Sequence, residues 1–136
     1  MEIKLGDADK MKASFNSLFA QLGVQVDDAF QEAFDEVGKE AVRRLKNDSP
    51  KGAGSKRGHY AQGWRYKGAN PRKGLFEGKV YNATKPGLTH LLEKKHVMKD
   101  RTGKAHGYSD PQPHIAGVDA WVQSELPKRI QQKLSK

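Results

Sequence analysis

Between Val26 and Pro50 the chain reads VDDAFQEAFDEVGKEAVRRLKNDSP. Val26, Phe30, Ala33, Phe34, Val37, Ala41 and Leu45 recur at three- and four-residue steps, which places them on one face of a helix. Asp27, Asp28 and Glu32 stand in the first turns of that helix, and Arg43, Arg44 and Lys46 in the last. This order complements the helix dipole. Asn47-Asp48-Ser49-Pro50 then ends the helix, because a residue before proline avoids helical backbone. An apolar stripe of this kind is a core or subunit contact. Upstream, Phe15, Leu18, Phe19 and Leu22 predict another helical face, interrupted at Gly23.

Downstream the period changes. Trp64 and Tyr66 alternate with Arg65 and Lys67, and Phe76, Gly78, Val80 and Asn82 alternate with Glu77, Lys79 and Tyr81. These are two strands separated by the Gly68-Ala69-Asn70-Pro71 turn, and they pair most simply as an antiparallel hairpin. The inner face of that sheet is expected to pack on the long helix. Pro86–Glu93 predicts a short helix with Leu88, Leu91 and Leu92 inward. Residues 94–108 are polar, basic and glycine-containing, the profile of an exposed loop. Ile115, Val118, Val122, Leu126, Ile130 and Leu134 predict a final helix that Pro127 should kink or split. The chain is therefore expected to be one α+β domain over residues 1–136, with 1–25 as a strand/helix extension and 26–134 as the core. Long N-terminal helices and a C-terminal helix pack on a small antiparallel sheet that carries long basic loops.

The 136 residues hold 25 Lys and Arg against 16 Asp and Glu, a net charge of +9. Residues 1–48 sum to −3, residues 49–110 to +10 and residues 111–136 to +2. A positive field confined to the middle third suits nucleic acid or an acidic protein surface. No apolar run is long enough for a membrane span. The opening Met1–Gly6 has no signal-peptide core, so ordinary secretion is not expected and a reducing cytoplasm is the default compartment. Zero Cys excludes disulfides, thiolate catalysis and cysteine zinc sites.

Lys51-Gly52-Ala53-Gly54-Ser55-Lys56-Arg57-Gly58 resembles a phosphate loop in composition, but it lacks P-loop spacing and follows a helix rather than a strand. His90 and His96 are six residues apart, about 240° around a helix, so they cannot share one helical face as a zinc pair. His90, Glu93, His96 and His114 remain free to converge through tertiary folding. No nucleophile-elbow pattern is present. A general acid–base ribonuclease or toxin needs only His, a cation and bound phosphate, and the basic middle supplies all three. A small nucleic-acid-binding protein is the other alternative.

An ordered set of motifs resembles a phage family. Ser49-Pro50-Lys51 followed by Gly58-His59-Tyr60-Ala61-Gln62-Gly63-Trp64-Arg65 is similar to its Pro-Lys…Gly-x-Tyr-x-x-Gly-Trp signature. Val80-Tyr81-Asn82 matches its second strand. Leu88-Thr89-His90-Leu91-Leu92-Glu93-Lys94-Lys95-His96 is similar to its Leu-Thr-His-Leu-Leu-Glu-x-Gly-His element, and Pro113-His114-Ile115 to the tripeptide before its last helix. These are the "gene product ten-like" neck proteins of long-tailed phages, also called minor capsid, head-tail joining or tail-completion proteins. Lys95 stands where the family often has Gly, and the basic loop before Gly58 is longer than usual.

The resemblance implies a structural virion protein, made in the bacterial cytoplasm, without catalytic residues, cofactor or metal. It implies a homo-oligomeric ring around the DNA channel, next to head-closure or connector and tail-tube or tail-terminator proteins. Within that frame, Trp64, Tyr81 and the Phe30/Phe34 stripe are expected to hold the sheet on the helix. His90, Glu93 and His114, with Trp64, are expected to form a polar clasp. The loop cations Lys51, Lys56, Arg57, Lys94, Lys95, Lys99, Arg101 and Lys104 are expected to face genome DNA or acidic patches of neighbouring ring proteins.

Overall fold

Seven residues of the 26–45 stripe need a surface to bury against, and two elements supply it. In the computed structural model, which describes residues 1–5, 25–51, 59–68, 78–94, 96–99 and 102–135, the stripe lies on helix α1, Gln25–Asp48. Strands β1 (Ile3–Leu5), β2 (Trp64–Lys67) and β3 (Gly78–Asn82) form an antiparallel sheet in the order β1-β3-β2. Helix α2 (Leu88–Glu93), strands β4 (His96–Lys99) and β5 (Ala105–Ser109), and helix α3 (Ile115–Leu134) follow. The protein is α+β, with α1 packed on α3 and on the sheet. The phenylalanine-containing series at residues 15–22 and the stretch 69–77 lie outside the described residues.

Phe30, Ala33, Phe34, Val37, Ala41 and Leu45 of α1 are fully buried with Val118, Val122, Leu126 and Ile130 of α3 and with Ile3, Leu5, Trp64 and Val80 of the sheet. Each large apolar side chain so buried contributes about 1.5–3 kcal/mol. That is enough to explain Pro127. Instead of splitting the last helix, Pro127 sits inside one continuous helix. Leu126 and Ile130, on either side of it, are held in the core, which offsets the roughly 3 kcal/mol that an interior proline costs. Arg44 lies 4.1 Å from the Trp121 ring centroid, and Arg129 and Lys133 reach Glu36 at 3.0 and 2.6 Å, tying α3 to α1 at the surface.

The helix glycine Gly38 has a packing reason. A Cβ there would stand 2.3 Å from the ring of Tyr66, whose hydroxyl donates to Asp35 at 3.1 Å. The helix gives up about 1 kcal/mol of propensity and β2 gains close approach.

Glu40 accepts from Arg43 at 2.5 Å and from Arg44 at 3.1 Å on the exposed side of α1. Those bonds, Arg43 first, hold its carboxyl at about 2 against an ordinary 4.5. A lowered folded-state value means stability that is present above 4.5 and lost as pH falls through about 2. Because the partners are exposed, Glu40→Gln should cost only about 0.3–0.5 kcal/mol at pH 7. Urea midpoints of the two proteins should converge as pH falls below 4.5; a gap unchanged at pH 2 would contradict the assignment.

Three expectations are corrected here. Residues 94–108 are not merely a loop: β4 and β5 form a two-stranded hairpin, with Val97 opposite Tyr108 and a register shift before Lys99. Leu91 is 41% exposed, so of the three leucines of α2 only Leu88 and Leu92 pack against the core. Tyr81 alternates away from buried Val80 and Asn82 and lies half-buried on the outer sheet face, so it does not hold the sheet on α1.

Candidate functional site

The residues that carried the motif signal come together in one buried cluster. Ser49 follows the last turn of α1; its amide and hydroxyl both donate to the Leu45 carbonyl, and its oxygen accepts the Trp64 indole N–H at 2.8 Å. The Tyr60 ring meets Trp64 edge-on at 5.9 Å and His114 at 5.4 Å between centroids. All four residues are buried.

Burial, and then the nearby Glu93 carboxylate, push the Tyr60 hydroxyl above its ordinary range, so it stays protonated and donates. Its partner is His114 Nε2 at 2.6 Å. The other ring nitrogen, Nδ1, faces two acceptors, Glu93 Oε1 at 2.9 Å and the Gln112 carbonyl at 3.0 Å. Two acceptors at one nitrogen assign the proton to Nδ1. The order of donation is therefore Tyr60 to His114 to Glu93.

Glu93 also takes the free end of α3. Its Oε1 accepts the amides of His114 and Ile115, the latter at 2.8 Å, and its Oε2 accepts Ala116 N–H at 3.3 Å. The first amides of a helix have no intrahelical acceptor, and a carboxylate there also meets the positive end of the dipole. His114 itself makes no side-chain cap to α3. The cap comes from Glu93, twenty-one residues upstream, so the last residue of α2 is bound to the first turn of α3.

The clasp of Glu93, His114 and Trp64 is thus formed, but His90 is not in it. His90 Nε2 instead lies 3.3 Å from the amino terminus of Met1, on an exposed surface. In its place stand Tyr60 and Ser49, which the sequence presents only as letters of a motif. Neighbouring Asn82 ties Tyr60 to the turn that follows β3. Its Nδ2 donates to the Tyr60 carbonyl at 2.7 Å and its Oδ1 accepts Lys85 N–H at 2.8 Å. Among the described residues, no buried side-chain nitrogen or oxygen lacks a partner, and no group of three His, Asp or Glu is placed to hold a metal.

The basic residues separate into two kinds. Lys51 Nζ is turned back on α1, donating to the carbonyls of Lys46 and Asn47, so it caps the helix instead of reaching outward. Lys94 is exposed at the end of α2, and Lys99 and Lys104 are exposed on the hairpin and its connection. Lys56, Arg57, Lys95 and Arg101 lie outside the described residues. No helix among the described residues is long and apolar enough to cross a membrane. Comparison with protein-family models, with characterised proteins and with solved structures finds no match.

Proposed function

We propose that this chain is a structural subunit of the neck of a long-tailed phage, joining head to tail as one member of a ring around the DNA channel. The observation that carries the reading is the convergence of the motif residues. Ser49, Tyr60, Gly63, Trp64, Asn82, Glu93 and His114 belong to four separate motifs, yet they meet in one closed, buried network. Among the described residues no buried side-chain donor or acceptor lacks a partner, which suits a protein that works by shape and contact.

The hairpin supports the same reading. Among the described residues it is a sheet of two strands, few enough to add little stability by themselves. Val97, Met98 and Tyr108 on it are 39%, 41% and 61% exposed. In this reading such a ribbon gains its stability from adjacent connector, tail-tube or tail-terminator proteins. The virion is then where the protein acts, after synthesis in the bacterial cytoplasm.

Deletion of this gene from a phage that carries it tests the proposal. Electron microscopy of the lysate should show DNA-filled heads beside unattached tails, restored to whole virions when the gene is supplied in trans. Normal joined virions would overturn it.

A further inference from the structure

We propose that the outer face of the three-stranded sheet binds the phosphodiester backbone of double-stranded DNA. The inference goes beyond the neck reading and does not depend on it, since it concerns binding by the isolated chain. The register carries it. Lys79 of the central strand β3 is paired with Lys4 of β1 on one side and Lys67 of β2 on the other. Three lysines therefore stand in one cross-strand row, spanning about 10 Å at the usual strand spacing. In the next row Arg65 lies opposite Tyr81. The Arg65 guanidinium is held by the carbonyls of Gln62 and Trp64 at 2.7 and 2.9 Å. Lys39 and Lys46, two turns apart on α1, border the same edge of β2 in a shallow groove that Arg65 also lines.

Like charges directly opposite on neighbouring strands oppose pairing. Lysines on edge strands are common because they block edge-to-edge aggregation, which accounts for Lys4 and Lys67. It does not account for Lys79, which lies in the middle. Among the described residues one carboxylate, Glu2, approaches Lys79, at 3.5 Å, and Lys4 and Lys67 are exposed. The row is uphill alone and downhill once a polyanion neutralises it.

The chemistry selects the polyanion. Protein interfaces have apolar centres depleted in lysine, whereas Lys4, Arg65, Lys67, Lys79 and Tyr81 include no aliphatic side chain to form one. Lysine is a point charge suited to phosphate without geometric demands. Single strands bind on aromatic platforms, but Tyr81 is half-buried and its ring already has Lys79 Nζ 5.4 Å from the centroid. What is left is attraction to closely spaced phosphates, which a duplex presents most densely, and this contact is blind to sequence.

The full chain titrated into a fluorescein-labelled duplex of about 20 base pairs, read by anisotropy, tests this. With four cations engaged, affinity should fall about 150-fold between 50 and 200 mM salt, and for Lys4→Ala/Lys67→Ala only about 12-fold, from a weaker start. Lys67→Glu should weaken binding while raising the melting temperature, because it converts a like-charge pair with Lys79 into an opposite one. The proposal fails if the double variant binds like the parent, or if Lys94→Ala/Lys99→Ala, at the end of α2 and on the separate hairpin, loses as much. It also fails if a single strand binds equally well, or if polyglutamate of the same charge competes equally, which would assign the face to an acidic protein partner.

Discussion

Glu93→Ala should lower stability by about 3–5 kcal/mol, the scale seen when one partner of a buried, hydrogen-bonded charged cluster is removed. The side chain is only 7% exposed and accepts four hydrogen-bond donors: the amides of Ile115 and Ala116 in α3, the His114 amide just before them, and the His114 ring. Alanine leaves those amides facing a small void without an acceptor, and His114 loses the group that orients it. At about 3–5 °C per kcal/mol for a domain of this size, thermal unfolding should move down by 10 °C or more. Glu93→Gln separates the causes. Its amide oxygen in the Oε1 position still accepts the His114 and Ile115 amides and His114 Nδ1–H, but its NH2 cannot accept from Ala116 N–H, so it should recover part of the loss. A melting curve for Glu93→Ala within 2 °C of the parent would show that the clasp contributes nothing. His114→Ala should fall between the two, since it removes the ring but leaves Glu93 on the helix end.

Much of this arrangement was legible in the sequence because it rests on period and punctuation. The seven-residue stripe of α1, its charge order and the Ser49-Pro50 stop place the helix to within a few residues, and alternation locates β2 and β3. Glu93 and His114 were legible as partners only within the family resemblance, as a link between the short helix and the segment before the last one. The exclusion of His90 was not, since nothing local distinguishes a histidine facing the amino terminus from one facing the core. The hairpin was missed for a related reason. Its described side chains are exposed, so no burial pattern marks β4 and β5. Register is the other quantity that sequence withholds. Lys4, Lys67 and Lys79 are far apart in the chain, and their alignment in one row exists only once β1 takes its place beside β3.

Glycine positions lie on the same boundary between local and tertiary information, and Gly63 shows what the structure adds. The sequence presents it only as a letter of a motif, in the short turn Ala61–Gly63 that leads into β2. In the fold its Cα is pressed against the Asn82 turn. A Cβ at Gly63 would stand 2.0 Å from Thr84 Oγ1, 2.7 Å from Asn82 Oδ1 and 3.0 Å from Thr84 Cβ. Asn82 cannot retreat freely, because it is buried and its amide holds the Tyr60 carbonyl and the Lys85 amide. The Gly63 carbonyl meanwhile accepts from Ala83 N–H at 2.8 Å, so the two turns cannot simply part. Gly63→Ala should therefore cost about 2–4 kcal/mol, at or above the upper end of overpacking, since the displaced groups also lose hydrogen bonds. Gly117→Ala supplies the contrast. A Cβ there meets nothing within 4 Å, so helix propensity alone decides and α3 should gain about 0.5–1 kcal/mol. Denaturant midpoints moving in opposite directions for the same chemical change would place the cause in tertiary contact. Thr84→Ala in the Gly63→Ala background should return part of the loss, because it removes the nearest clashing atom and leaves Asn82 in place. If Gly63→Ala matches the parent, the two turns are not in the close contact described, and the Tyr60–His114–Glu93 chain has lost its anchor at one end.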